Sequence, residues 1–358
     1  MLIARAPVRI SFGGGGTDLA AYYQPYGGLV VSAAINKYFY TMISAARAGD
    51  GVQIVSSDYH TFYRHDPDQP TFWKAGLELP RAALSHFGVE REYNVFLASE
   101  VPPGTGLGSS GSVAVTLVRA LSTLCDIPLS RHEIAETAAH IEIEKLGLPV
   151  GKQDQYIAAF GGVNVIRFSA DGVTVEPLGA SDETLRQLEA RLLLFFTGSA
   201  RESSNILREQ KRASEARRGP VVEALHAIKA LAEGMRECLE AGDVDGFGGL
   251  MDEGWQQKKR LAPNISNTAI DGYYALARAH GAVGGKVTGA GGGGFLMLYC
   301  PAERQADVTR ALEGAGLVRM NFVFDYQGTT VVLNTLPRKN GYHVHPAWRS
   351  INGVVLRA

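Results

Sequence analysis

Pro102-Pro103-Gly104-Thr105-Gly106-Leu107-Gly108-Ser109-Ser110-Gly111-Ser112 runs straight into an apolar-rich segment that ends near Leu124. Glycine lets a backbone turn tightly and approach a ligand closely, and the free N–H groups and dipole at a helix N-terminus favour an anion. The stretch therefore reads as a phosphate cradle followed by a helix over 109–124. Its candidate contacts are Pro103, Gly104, Gly106, Leu107, Gly108, Ser109, Ser110, Gly111 and Ser112. Two named phosphate motifs compete for such glycines. Gly106 to Gly111 has dinucleotide-fingerprint spacing, but that motif needs a strand entering the turn and an acid ending the next strand. Here Pro102-Pro103 interrupts the strand, and Asp126 follows a helix. Further on, Gly285-Lys286 is followed by Val287, where a P-loop needs Ser or Thr for magnesium. Neither a Rossmann dehydrogenase nor a Walker-type NTPase is supported.

Outward from this stretch, 42 glycines in 358 residues make about 12%, against a usual ~7%. Many cluster at Gly13 to Gly16, Gly104 to Gly111 and Gly281 to Gly294. The length suggests two packed units at ~150 residues each. With 35 Lys and Arg against 36 Asp and Glu, the net charge of -1 provides no broad field for nucleic acid or anionic lipid. A charged ligand must be held locally. No apolar run approaches the ~18 residues of a membrane span, and Arg5 and Arg9 interrupt the N-terminal stretch, so no secretory signal is read and a cytoplasmic location is expected. Cys125, Cys238 and Cys300 lack metal-type spacing and are expected to be buried thiols.

Strands are predicted over Leu2–Phe12, Leu29–Ile35, Tyr38–Ile43, Val52–Val55, Tyr93–Ala98, Val163–Phe168 and Val173–Glu176. A helix over Ser130–Leu146 opens with Ser130 and Glu133 in a capping-box pattern. After the strand Arg191–Phe196 the pattern turns helical as far as about His280. Phe295–Tyr299, Ala302–Glu313, Asn321–Asp325 and Thr330–Leu333 then follow in β-α-β-β order. The expected organisation is an α+β chain with units at 1–180 and 181–335 and a basic tail at 336–358.

At ~100° per residue, Ile134, Ala138, Ile141 and Glu142 share a helix face, so Glu142 points inward. A buried carboxylate is costly unless paired or bound to a cation. Near a phosphate cradle this suggests a magnesium ligand, the other reading being a cap or a pair with a neighbouring base.

The glycine segments together resemble those of the GHMP kinases, a family of galacto-, homoserine, mevalonate and phosphomevalonate kinases. Ala6 to Phe12 through Thr17-Asp18, Pro102 to Ser112, and Lys286-Val287-Thr288-Gly289-Ala290-Gly291 to Gly294 follow the family's three motifs in order. The resemblance implies a ribosomal-S5-domain-2-like N-terminal domain, a ferredoxin-like C-terminal domain, and the cofactors ATP and Mg2+. It implies a catalytic Asp154, within Gly151-Lys152-Gln153-Asp154-Gln155, beside the motif-one Arg9. Metal contacts fall to Ser110 and to Glu142, which precedes Asp154 by twelve residues as the galactokinase metal ligand precedes its catalytic Asp.

Motif one also bears on the acceptor. Asp18 matches the galactokinase Asp that binds sugar hydroxyls, whereas Gly15-Gly16 stand where galactokinases carry Glu-His. Losing those side chains makes room for a longer, negatively charged sugar. Together with Val31 to Lys37 and Gly151 to Gln155, the form is similar to heptose 7-phosphate kinases within the family. That similarity implies ATP-dependent phosphorylation of the anomeric hydroxyl of D-glycero-D-manno-heptose 7-phosphate. The acceptor set is Gly15, Gly16, Thr17, Asp18, Lys152, Arg201, Gly291 and Gly292, with Lys37 a further candidate cation. Tyr59 and Trp73 are candidates either to stack on adenine or to pack in the core. His343 and His345 read as tail chemistry rather than a metal pair. The expected partner is a small phosphosugar, with no nucleic acid or membrane, and the chain is expected to be a monomer or homodimer. The rivals are a kinase of an unphosphorylated sugar, fucose or galactose, and a non-catalytic ATP/sugar sensor. Retention of Asp154, Arg9, Ser110 and Glu142 argues against the sensor.

Overall fold

The computed structural model describes residues 1–48, 50–57, 61–65, 77–198, 208, 212, 219–336, 348–351 and 353–357. Its spine is an antiparallel pair, β1 (Leu2–Gly13) and β2 (Gly28–Ala45). β2 runs through both predicted strands without a turn. Pairing passes from Pro7 opposite Tyr38 to Val8 opposite Ile35, which leaves Asn36 and Lys37 as a bulge. Pro7 has no N–H to give the ladder, so an irregularity there sacrifices little. The first half of β2 is buried on both faces, which is why it reads as a continuous apolar run. Alternate residues Val30 and Ala34 join one core, Leu29, Val31 and Ala33 another.

Around this pair stand β3 (Val52–Ser56), β4 (Thr61–His65), β5 (Tyr93–Ser99), β6 (Val163–Ser169) and β7 (Gly172–Pro177). β5 extends the sheet from the second half of β2, and β6 with β7 from the first. The helices Glu78–Phe87, Ser109–Leu124, Arg131–His140 and Gln153–Phe160 pack into the core under β1 and β2. The expected helix 130–146 keeps its capping box and its α geometry to His140, then widens into a π turn over Ile141–Lys145. Such turns gather at functional sites.

The second layer is an antiparallel sheet of β8 (Leu192–Phe196), β9 (Gly284–Val287), β10 (Phe295–Tyr299) and β11 (Val318–Arg319), in the order β11-β8-β10-β9. With the helices Gly219–Glu240, Val244–Lys259, Thr268–Ala279 and Gln305–Gly314 it gives the α+β arrangement expected. Its last two predicted strands go elsewhere. Phe324 makes an isolated bridge with Ile35, and β12 (Thr330–Asn334) pairs with β1. The outer edge of β1 carries unpaired backbone groups that β12 satisfies. The segment 181–335 thus contributes its final strand to the N-terminal sheet. The tail supplies a hairpin, β13 (Trp348–Ile351) and β14 (Val354–Arg357). Buried Val355 donates its N–H to Thr137 Oγ1 at 3.2 Å, and its carbonyl lies 2.7 Å from His86 Nε2. Among the described residues no helix is long and apolar enough to cross a membrane.

Candidate active site

Where the layers meet, a cleft with a cavity volume of about 180 Å3 opens between the three glycine segments. The helix Ser109–Leu124 begins at Gly108, whose φ is 77°, and no side chain caps it. Its first N–H groups are therefore open to an anion. Gly104, Gly106, Gly108, Ser109 and Ser110 line the cleft, and the Ser109 hydroxyl oxygen is buried without a partner among the described residues. Leu107 and Ser112 hold the cradle's shape instead. The Leu107 carbonyl accepts the Arg9 N–H at 2.9 Å, and the Ser112 hydroxyl donates to Pro7 O at 2.8 Å. Pro103 stands outside the lining. Gly106 presses on the third glycine segment so closely that a Cβ there would come within 2.6 Å of the Thr288 carbonyl.

Asp154 sits in the first turn of the helix Gln153–Phe160. Arg9, from β1, donates to its Oδ1 through Nε at 2.9 Å, and its Nη2 makes an ion pair with the same oxygen at 2.8 Å. The third guanidinium arm, Nη1, donates to the Gly106 carbonyl at 2.6 Å and so fastens the pair to the cradle. Arg9 is buried, while the Asp154 side chain is 25% exposed and borders the cleft. Gly108 and Gly111 allow this approach: a Cβ on Gly111 would lie 2.6 Å from Asp154 Cβ.

Asp18 lines the same cleft, buried, accepting N–H groups from Gly16 at 2.9 Å and Gln153 at 3.3 Å. Burial, then the charge of Asp154, raises its carboxyl above the usual range. Gly15 and Gly16 also face the cleft. Thr17 faces inward, donating to Gly14 O at 2.7 Å and accepting from Leu29 N at 3.1 Å.

Glu142 is fully buried, as its helical position predicts. It accepts hydrogen bonds from the Ser110 hydroxyl and, at 2.5 Å, from the Gln155 amide. Burial pushes its carboxyl up to about 7. Among the described residues no base pairs with it, and no group of three His, Cys, Asp or Glu side chains gathers as a metal site. Magnesium is commonly held through one or two carboxylates plus substrate phosphates and water, a set that Glu142, buried directly behind the cleft-lining Ser110 hydroxyl that donates to it, fits.

Other predicted contacts lie apart. Lys152 is ion-paired to Glu136 at 2.8 Å and lines a neighbouring cavity of about 780 Å3. Lys37 belongs to the β2 bulge. Gly291 and Gly292 pack on Ile265, whose carbonyl takes the Gly292 N–H at 2.8 Å, so Gly289 and Ala290 present motif three to the cleft. Arg201, Tyr59, Trp73, His343 and His345 lie outside the described residues. Two lysines absent from the predicted set, Lys258 and Lys286, are buried in the cleft wall. Lys258 was legible from spacing, because it continues the apolar face of Phe247, Met251 and Trp255.

The fold and cleft are those of an ATP-dependent phosphotransferase with an alcohol acceptor. The N-terminal domain model of the GHMP kinases matches residues 73–162, and the C-terminal model matches residues 235–316. The chain is 31% identical over 336 residues to a D-glycero-alpha-D-manno-heptose 7-phosphate kinase of Campylobacter jejuni, covering 90% of this chain and 96% of that protein. It superposes with a TM-score of 0.75 and 30% identity on the crystal structure of a D-glycero-D-manno-heptose 1-phosphate kinase from Bacteroides thetaiotaomicron, covering 94% of this chain and 100% of the other. A bifunctional fucokinase/GDP-fucose pyrophosphorylase of Arabidopsis thaliana is 28% identical over 86% of this chain and 30% of its own length. The chain belongs to the GHMP kinase family.

Proposed function

We propose that the protein transfers the γ-phosphoryl group of ATP to the anomeric hydroxyl of D-glycero-D-manno-heptose 7-phosphate, giving the 1,7-bisphosphate. The observation that carries this reading is the meeting of Asp154, Arg9 and Asp18 in one cleft with the uncapped cradle and the side-chain-free Gly15-Gly16. The relative named as a heptose 7-phosphate kinase supports the choice of sugar.

In this mechanism the open N–H groups around Gly104 to Ser110 hold the phosphates of the nucleotide. Asp18 accepts acceptor hydroxyls, and Gly15-Gly16 leave room for the far end of the sugar. Asp154 orients the anomeric hydroxyl and takes its proton as the new O–P bond forms and the bond to ADP breaks. Arg9 holds Asp154 in place and offsets charge developing on the transferred group. Ser110 and Glu142 would hold a magnesium ion, which when bound would supply neutralisation of the phosphate charge.

An ADP-release assay across heptose 7-phosphate, heptose, L-fucose and galactose tests the assignment. Preference for heptose 7-phosphate is expected. Preference for L-fucose, the reading that the fucokinase relative favours, would overturn it.

A further inference from the structure

Two cations of the cleft take no part in the chemistry above. We infer that Lys258 and Lys286 form an anion subsite that receives the phosphate already carried by the acceptor, an inference that rests on reading the cleft as the acceptor site of a kinase.

Lys258 ends the buried face of the helix Val244–Lys259 and is 9% exposed; Lys286, on β9, is 6% exposed. Both border the cavity. The Lys258 ammonium donates to the carbonyls of Val287, at 3.4 Å, and Gly289. The Lys286 ammonium donates to Phe12 O at 3.2 Å. Among the described residues neither makes an ion pair, although Asp18 and Asp154 border the same cavity. Arg9, the nearby guanidinium, directs its charge to Asp154.

Neutral carbonyls do not repay the desolvation of two ammonium groups, and like charges packed together make the cost larger. Burial, then the charge of Arg9, brings Lys258 down to about 7, and Lys286 falls well below the ordinary lysine range through burial, Lys258 and Arg9. A phosphate monoester dianion relieves that cost, whereas a neutral sugar leaves it in place.

The position favours the acceptor's phosphate over the nucleotide's. The triphosphate already has the helix N-terminus and the Ser110–Glu142 pair on its own side. Lys258 meets the cradle through the Gly289 carbonyl it holds, since Gly289 packs on Gly106, but the charge that draws on it is that of Asp18, and Lys286 hangs on the carbonyl of Phe12, which leads into Gly13 to Asp18.

The test compares the wild type with Lys258→Met, Lys258→Arg and Lys286→Met. It measures KM for heptose 7-phosphate, heptose and ATP, inhibition by inorganic phosphate, and a thermal melt of each variant. Lys258→Met and Lys286→Met are expected to raise KM for heptose 7-phosphate about tenfold more than KM for heptose or ATP. Inorganic phosphate should compete with the sugar on the wild type and lose about tenfold in potency on both Met variants, with Lys258→Arg keeping most of it. An equal rise for both sugars, a rise confined to ATP, or unchanged phosphate inhibition would overturn the subsite. If Lys258→Met does not fold, Lys286→Met carries the same comparison, with Lys258→Arg as the charge-retaining control. A wild type that ignores heptose 7-phosphate but uses another phosphorylated sugar, with phosphate competing against it and released by Lys258→Met, would defeat the assigned sugar alone and uphold the subsite; a wild type that uses only unphosphorylated sugars would overturn both.

Discussion

Asp154 and Arg9 stand 145 positions apart in the chain, yet two of the three guanidinium nitrogens reach one carboxylate oxygen. Periodicity alone carries no sign of such a pair; it was legible through the order of the three glycine motifs. Replacing Asp154 by Asn keeps the shape but removes the proposed proton acceptor. We expect kcat to fall by about 10²–10⁴ with nucleotide affinity retained, read by coupled assay and by calorimetric titration of an ATP analogue. Undiminished turnover would take Asp154 out of the mechanism. Glu142 was legible from the helical period, and its burial carries a pH consequence. Its folded pKa, about 7, lies above the ordinary 4.5, so the protonated form favours the fold. In the metal-free protein that stability is fully present below pH 4.5 and is lost as pH rises through 7, a loss of roughly 3 kcal/mol. Glu142→Gln should flatten this slope, so that melts at pH 5 and pH 8 differ less than in the wild type, while activity falls. An unchanged slope would show that another group sets it. Lys258 escaped the motif comparison because it belongs to none of the three motifs; only the buried face it shares with Trp255 marks it.

At the scale of elements, the cradle helix and the Asp154 helix touch through a glycine. Gly111 has an ordinary helical backbone, so its lack of a side chain matters for space and not for φ. A methyl there would press on Asp154 Cβ, on the Asp154 carbonyl carbon at 3.0 Å and on Gln155 N at 3.1 Å, and the backbone contacts cannot rotate away. Gly111→Ala should push the Asp154 helix back by a fraction of an ångström to an ångström. A displacement of that order costs about 100-fold in kcat when the reacting groups must align. Steady-state kinetics with circular dichroism checks it; wild-type kcat would show that the two helices have slack. The elements themselves were largely readable where a strand is buried on both faces or a helix is capped, as at Leu29–Ile35 and Ser130-Glu133. The β2 bulge was not, because Asn36-Lys37 has the composition of a turn and only the register against Pro7 shows that the strand continues.

At the scale of the whole molecule, the division near residue 180 marks a change of pattern, yet the two layers share a core. Val8, Ile10 and Phe12 of β1 pack in one cluster with Met235, Phe247, Phe295 and Tyr299 of the second layer. The Phe12 and Phe247 rings meet edge to face at 5.4 Å. β12 returns to pair with β1, and Thr335 N–H donates to Met1 O at 2.8 Å. Such non-local pairing is invisible to local periodicity, which placed Thr330–Leu333 with its sequence neighbours. Because the cleft is walled by both layers, with Lys286 on one and Arg9 and Asp154 on the other, a bound nucleotide should stabilise them together. We therefore expect a single calorimetric unfolding transition with coincident fluorescence and circular-dichroism midpoints. A non-hydrolysable ATP analogue at a hundred times its Kd should shift that whole transition by about 2.7 kcal/mol. Two separated transitions, with the analogue moving one alone, would mean that the shared core is too weak to couple the layers and that the cleft forms by docking of independent units.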